Sequence, residues 1–312
     1  MILNYDHYRS GQRRRRPRWL IAVGIAAAAG FIVLLFALKV PQRVFASSAA
    51  RAGTGKIPAL WKAAKYDELI SVADAALKTD PLNANILAYR GFASFYKAVS
   101  EINPEDKVPF LDDAVVYLRR AELAGTSMKN EADYVLAKAY FLKGKFYYDL
   151  AVLRMTEAID HGFVQNDSYE YLGLAYSQLG DLEKGIEFFL KALDQEQTDI
   201  LLLTIGQTYY QMKRTADAVD YLMRTLNKTE DKAIEKKARS LLGEIYLDRN
   251  ELFKAEEQYS ALIALDPRSA DAHFYLGEVY SKMNDPVKAR AEWRAAYQID
   301  PSHYGARLRL FK

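Results

Sequence analysis

The residue types that most often act in catalysis and metal binding form no recognisable group in this sequence. It contains no cysteine, which excludes disulfide bonds and thiolate metal sites. No nucleophile has a base beside it. The histidines lie in four different segments, and no two of them have the i, i+4 spacing of helical metal ligands: His7, His161, His273 and His303. The sequence therefore predicts a protein that is not an enzyme and that uses no metal and no cofactor.

Two short motifs could bind phosphate, and each has a simpler interpretation. Gly53-Thr54-Gly55-Lys56 resembles the end of a phosphate loop, but that loop needs glycine and Ser/Thr where the chain has Ala50 and Ile57. We interpret it as a flexible linker. The arginines at 13–16 could neutralise nucleic-acid phosphates, but they stand just before a long uncharged run, where they favour a membrane topology signal. No nucleic-acid partner is predicted.

The N-terminal part is typical of a membrane anchor. Residues 1–18 carry six arginines and one acid, and residues 19–38 carry no charge. Twenty residues make a helix of about 30 Å, which matches the hydrocarbon thickness of a bilayer. Basic residues are more numerous before this run than after it, so the positive-inside rule places the N-terminus in the cytoplasm. Cleavage among the small residues after Phe45 is the alternative.

We therefore expect four segments. A cytoplasmic tail at 1–18 precedes a single transmembrane helix at 19–38, a linker at 39–56 and a repeat domain at 57–312. The predicted location is the inner membrane, with the repeat domain on the periplasmic side.

A pattern of small and bulky residues repeats through the domain. The last full repeat, Ala270 to His303, predicts two helices with Asp285-Pro286 as a cap and first-turn proline between them. Small residues recur in the first helices at Gly91, Ala137, Gly173, Gly206, Gly243 and Gly277, and in the second at Ala114, Ala151, Gly185, Ala218, Ala255 and Ala289. The offset within the last four pairs is 12 residues, whereas Gly91 to Ala114 is 23 residues. That unit is predicted to have a lengthened helix plus a loop.

This spacing resembles the tetratricopeptide repeat (TPR), a helix-turn-helix unit of about 34 residues. The resemblance extends from about Ile57 to the C-terminus. It implies an all-α, right-handed superhelical solenoid of about six repeats plus a half-repeat, closed by a C-terminal cap helix between Ser302 and Phe311.

The resemblance also implies which residues face a partner, because fixed places of each first helix line the concave groove of such arrays. Here the groove is aromatic near the membrane and polar to acidic further away. Aromatic side chains are typical of interaction hot spots, so we expect apolar anchors of a partner near Phe92, Phe95, Tyr134 and Phe141. The predicted groove residues are Phe92, Phe95, Tyr96, Tyr134, Lys138, Phe141, Leu174, Gln207, Tyr210, Glu244, Phe274 and Glu278.

These features predict a non-enzymatic, membrane-anchored scaffold that binds protein partners during assembly of a cell-envelope complex. The layout is similar to that of TPR proteins that build periplasmic structures, such as the collar of a flagellar motor. A cytosol-facing chaperone or import receptor, and a regulatory subunit of a membrane enzyme, are the alternatives. The sequence leaves self-association open.

Overall fold

The computed structural model describes residues 55–311, which form fifteen helices and no strand. Their bounds are α1 (Ile57–Lys62), α2 (Tyr66–Thr79), α3 (Ala84–Ser100), α4 (Pro104–Leu123), α5 (Lys129–Lys143), α6 (Tyr148–Asp160), α7 (Ser168–Leu179), α8 (Leu182–Gln195), α9 (Asp199–Gln211), α10 (Thr215–Lys228), α11 (Lys232–Asp248), α12 (Leu252–Leu265), α13 (Ala270–Lys282), α14 (Pro286–Ile299) and α15 (Tyr304–Phe311). The all-α prediction is confirmed for this part of the chain.

Between residues 55 and 311, no helix has the length and apolar character needed to cross a membrane. The predicted tail at 1–18, the predicted transmembrane helix at 19–38 and most of the linker at 39–56 lie outside the described residues.

The described chain divides into two compact units, with the boundary inside α5 between Ala132 and Asp133. In the first unit, α1 packs on α2 and α3, α2 packs on α3, and α3 packs on α4. In the second unit, each helix from α6 onward packs on the next helix along the chain, and α9 also packs on α11. Each unit therefore builds its core locally, as expected of a repeat array.

The long interval between Gly91 and Ala114 is filled as the sequence predicts. Helix α3 continues for 17 residues to Ser100, a short connection follows, and α4 begins at Pro104 and runs for 20 residues. The prediction of a lengthened helix plus a loop is confirmed. At 20 residues, α4 is the longest helix of the described chain.

Short polar side chains fix where many helices begin. The Asp285 carboxylate accepts a hydrogen bond from the backbone N–H of Lys288 at 3.0 Å, and Asn83 accepts one from Ile86 at 3.2 Å. First-turn N–H groups have no partner within the helix, so such caps stabilise its start. Four other side chains cap the starts of their helices in this way: Asp181, Thr198, Asp231 and Ser269.

Small first-helix residues let the two helices of a hairpin approach closely. A Cβ atom added at Gly173 would lie 2.4 Å from the Phe189 ring, and one added at Gly277 would lie 2.5 Å from the Trp293 ring. Both distances are shorter than a van der Waals contact. The two helices of these hairpins therefore lie close together, and each glycine faces the bulky residue of the following helix.

The turn inside each of the last four hairpins needs a left-handed residue at the same place. Gly180, Asn250 and Asn284 have φ angles of 89°, 59° and 60°, whereas Lys213 stands at the equivalent place with φ 63°. A side chain other than Asn or Gly is strained in this region. We expect Lys213→Asn to raise the free energy of unfolding by about 0.5–1 kcal/mol, measured by urea titration. The exposed Lys184→Asn variant is the control; an equal gain there would contradict this explanation.

Candidate partner-binding site

Aromatic rings form a tight cluster in the first unit, around the predicted groove residues of α3. Phe92 and Phe95 are buried, with exposed fractions of 0% and 1%, and Tyr96 is half-buried. Tyr96 stacks on Tyr66, with ring centroids 5.5 Å apart, and Trp61 of α1 lies 5.9 Å from the Phe92 ring. In this structure Phe92 and Phe95 are core side chains, and their contact with a partner stays a prediction.

Arg90 joins three helices of the first unit. Its guanidinium is buried and donates to Asp74 of α2 at 2.7 Å and to Asp113 of α4 at 2.8 Å. It also contacts the Ser94 hydroxyl and lies 4.4 Å from the centroid of the Tyr117 ring. Since both carboxylates bind one guanidinium, this cluster holds α2, α3 and α4 together and has a structural role.

A second buried polar cluster connects α5 to the residue that precedes α7. Lys138 Nζ donates to Asp167 at 2.8 Å and to the Tyr134 hydroxyl at 3.0 Å, while the Tyr134 hydroxyl donates to the other Asp167 oxygen at 2.6 Å. The Lys138 ammonium also lies 4.9 Å from the centroid of the Tyr171 ring. Burial lowers the pKa of Lys138, and the adjacent Asp167 carboxylate opposes that shift.

The Glu170 carboxyl group extends this cluster on α7. Burial, together with the neighbouring Asp167 charge, raises the pKa of Glu170 to about 7, although Lys138 counteracts the shift. Glu170 therefore exchanges a proton near neutral pH, unlike an ordinary surface glutamate.

The remaining predicted groove residues of the second unit are half-buried and lie on successive first helices. Phe141 of α5 contacts the Tyr171 ring of α7, with centroids 5.4 Å apart. The Tyr210 hydroxyl of α9 donates to Glu244 of α11 at 2.8 Å. Leu174 and Gln207 are half-buried at the corresponding places of α7 and α9. Phe141 and Tyr210 thus contact the next repeat, and all five side chains keep part of their surface accessible.

The two predicted groove residues of the last repeat are bound by the chain itself. Arg309 of α15 donates two hydrogen bonds to Glu278, at 2.8 and 2.6 Å. The His303 ring lies 4.9 Å from the Phe274 ring, and a Cβ atom added at Gly305 would lie 2.6 Å from that ring. The C-terminal helix thus contacts both side chains, and their contact with a partner stays a prediction.

Comparison with known sequences matches three stretches of the chain to models of one repeat family. Residues 243–284 match the model described as TPR repeat, and residues 270–303 and 167–199 match models described as Tetratricopeptide repeat. These two stretches, residues 167–199 and 243–303, contain tetratricopeptide repeats. The heat shock protein STI1 of Saccharomyces cerevisiae is 27% identical over 141 residues, which is 43% of this chain and 22% of STI1. The chain thus spans about a fifth of the length of that relative.

Solved structures show the same fold at low sequence identity. The C-terminal part of a TPR repeat-containing protein from Cytophaga hutchinsonii is 18% identical and superposes with a TM-score of 0.66, covering 82% of this chain and 99% of that one. The MamA protein is 17% identical with a TM-score of 0.51, covering 60% of this chain and 98% of that one. The described domain therefore has the same helical repeat fold as these two proteins.

Some residues of the polar and aromatic clusters were not among the predicted groove residues of the TPR array. Trp61 and Tyr66 lie in the irregular half-repeat, where the repeat register gives no guide. Asp167 stands just before α7, at a groove place of its repeat by register, and its buried contacts with α5 depend on the fold. The sequence did offer a signal for the buried ion-pair cluster around Arg90, because Arg90 is a single charge within an otherwise apolar stretch of a first helix. No group of three or more metal-ligating side chains occurs among residues 55–311.

The shifted pKa of Glu170 makes the stability of this domain depend on pH. The folded state keeps a proton on Glu170 that the unfolded chain releases above its ordinary value, so folding stability falls as the pH rises from about 4.5 to about 7. The loss is at most about 3 kcal/mol. We expect Glu170→Gln to remove this contribution, measured as the difference in urea midpoint between variant and parent at pH 5 and pH 7.5. An identical pH profile for the two proteins would contradict it.

Proposed function

We propose that this chain is a non-enzymatic, membrane-anchored scaffold that holds protein partners through the first helices of its tetratricopeptide repeats. The bound element is a segment of another protein in a cell-envelope complex. The proposal combines the repeat fold with a row of accessible, mixed-polarity side chains on the second unit.

The half-buried row on α7, α9 and α11 carries the proposal. Leu174 offers apolar surface, Gln207 offers an amide donor and acceptor, and the Tyr210–Glu244 pair offers a ring edge and a carboxylate. A peptide backbone needs hydrogen-bonding groups beside small apolar pockets, and such a row provides both. Phe92 and Phe95 are buried in the core of the first unit. We therefore assign partner binding to the half-buried row of the second unit.

A site-specific crosslink tests this assignment on the full chain. A photoreactive residue at Gln207 should form adducts with one partner protein, since Gln207 lies within the row. The matched control is Glu187, which is exposed on the second helix α8. Leu174→Arg should abolish the Gln207 adduct while the helical melting curve stays close to that of the parent. The same adducts from both positions, or an unchanged adduct in Leu174→Arg, would refute the assignment.

The membrane part of the proposal is supported by the sequence. The uncharged run at 19–38 follows six arginines, and together they favour a single span with the repeats on the periplasmic side of the inner membrane. The chain has no cysteine, so Asn284→Cys supplies one site for an impermeant maleimide. Labelling with the inner membrane intact supports the periplasmic orientation. Labelling only after that membrane is permeabilised supports a cytosol-facing receptor instead.

The narrower proposal is a periplasmic structure around a membrane machine, such as a flagellar-motor collar. It rests on the layout of anchor plus repeats. Deleting the chain should then remove a periplasmic ring from averaged cryo-tomograms of the motor, and an unaltered motor would eliminate this version.

A further inference from the structure

Two carboxylates of α11 extend the proposed partner-binding row of the second unit. Glu244 and Asp248 are four positions apart, so they lie on the same side of the helix. Glu244 is half-buried and Asp248 is exposed. Within residues 55–311, neither carboxylate forms an ion pair, and the hydrogen bond from the Tyr210 hydroxyl to Glu244 Oε1, at 2.8 Å, is the one that they accept. The row therefore carries negative charge that no ion pair of the described chain neutralises.

A buried tyrosine of α12 directs its hydroxyl group at this pair. Tyr259 is only 1% exposed, yet its hydroxyl forms no hydrogen bond with another described residue. The ring carbon that bears the hydroxyl would lie 2.7 Å from a Cβ atom added at Gly243, the residue before Glu244. Burial raises the pKa of Tyr259, and the nearby charges of Glu244 and Asp248 raise it further. A buried hydroxyl without a hydrogen bond is unusual, and it marks a place where a bound ligand would supply one.

Two further tyrosine rings lie beside the carboxylates on the neighbouring first helices. Tyr275 of α13 stacks on Tyr259, with ring centroids 5.6 Å apart and an angle of 13° between the rings. Tyr210 of α9 lies on the other side, joined to Glu244 by its hydrogen bond. Both rings are half-buried, so part of each stays accessible. Aromatic faces attract cations, and adjacent carboxylates strengthen that attraction, so this arrangement favours a cationic ligand.

We propose that this cluster binds an arginine side chain of the partner segment. A guanidinium group is planar and has five N–H donors, so it can stack on a tyrosine ring and donate to several acceptors at once. The acceptors here are Glu244 Oε2, the Asp248 carboxylate and the Tyr259 hydroxyl oxygen. The inference rests on the proposed function and names the chemistry of its partner. The cluster consists of Tyr210, Glu244, Asp248, Tyr259 and Tyr275.

Other occupants match this cluster less well. A divalent metal ion needs more oxygen ligands, and residues 55–311 contain no group of three or more metal-ligating side chains. A quaternary ammonium has no N–H group to donate to the Tyr259 hydroxyl. Two lysines of the chain lie nearby without pairing with the carboxylates. Lys282 donates to the Leu247 carbonyl at 3.1 Å, and Lys213 lies 5.9 Å from the centroid of the Tyr210 ring.

Peptide selection on the full chain in lipid nanodiscs tests the site. The probe is a phage library of random linear peptides, and the peptides that the parent selects should share an arginine. Glu244→Gln combined with Asp248→Asn should lower the recovery of those peptides by about tenfold. The matched control, Glu183→Gln with Glu187→Gln, removes an equally spaced pair that is exposed on α8, and should leave recovery unchanged. Selected peptides without a shared arginine, or equal recovery by the site and control variants, would overturn the proposal.

The Leu174→Arg variant separates failure of this inference from failure of the proposed function. Peptides that need Leu174 but carry no arginine would refute the arginine site alone. Peptides that bind Leu174→Arg as well as the parent would refute the row. A library that yields no binder would refute the row and the site together.

The Tyr259→Phe variant tests the hydroxyl contact without disturbing the fold. It removes only a hydroxyl that has no hydrogen bond within the described chain, so the melting temperature should not fall. The selected arginine peptides should bind about fivefold less tightly, because one hydrogen bond to the guanidinium is lost. An unchanged affinity would contradict the proposed arrangement of the site.

Discussion

Replacing Asp167 by asparagine is expected to lower the free energy of unfolding by about 3–5 kcal/mol, the range typical of breaking a buried ion pair. The Lys138 side chain is only 2% exposed and Asp167 is 11% exposed, so water cannot replace the lost carboxylate. Both the Lys138 ammonium and the Tyr134 hydroxyl donate to Asp167. An asparagine side chain has one acceptor oxygen for these two donors, and it removes the carboxylate charge to which the buried lysine donates.

Urea unfolding followed by circular dichroism measures this loss of stability. Two further variants test whether the buried ion pair is its cause. Lys138→Met combined with Asp167→Asn also removes the buried lysine charge, so the double variant should recover part of the lost stability. Glu187→Gln breaks a pair with Lys191 that is exposed on both sides, and should cost less than about 1 kcal/mol. If Asp167→Asn cost no more than Glu187→Gln, the cluster would not be the buried ion pair that the structure shows.

A Gly173→Ala substitution is expected to destabilise the domain by about 1–3 kcal/mol through overpacking. Its sign is informative, because alanine in an unobstructed helix interior stabilises by about 1 kcal/mol relative to glycine. The added Cβ atom would lie 2.4 Å from the Phe189 ring, which is completely buried and cannot move away. We expect a lower urea midpoint with little change in helix content.

A double-mutant cycle tests whether Phe189 is the cause. Phe189→Leu alone leaves a cavity, but in its presence Gly173→Ala should become less costly, because the ring no longer opposes the new methyl group. Gly55→Ala is the matched control, since nothing lies within 4 Å of a Cβ atom there. Additive costs for Gly173→Ala and Phe189→Leu would contradict the proposed contact.

The repeat pattern predicted the helices of this domain because its signals are local. Small residues such as Gly173 and Gly277 recur at fixed offsets from bulky partners, and caps such as Asp285 mark helix starts. These features depend on neighbours within about 34 residues, and the sequence displays them directly. The same local signals predicted three irregular parts of the domain: the half-repeat, the 23-residue interval and the C-terminal helix.

The roles of the groove residues were harder to predict, because they depend on what covers each position. Phe92 occupies a groove place by register, but Trp61 and Tyr66 from the irregular start of the domain form a ring cluster with α3. Glu278 also occupies a groove place, and Arg309 of the C-terminal helix binds it. Register gives the direction of a side chain and does not show which other part of the chain packs over it. The half-buried Gln207 remains the best-placed predicted contact residue.

The neighbour-to-neighbour packing of the second unit has a mechanical consequence. A pulling force applied between its ends would load the hairpin interfaces in series, so each interface bears the whole tension instead of sharing it. Hairpins would then detach stepwise, each releasing about 34 residues, or roughly 115 Å of extended chain. Such a domain would extend in small steps under tension instead of unfolding all at once.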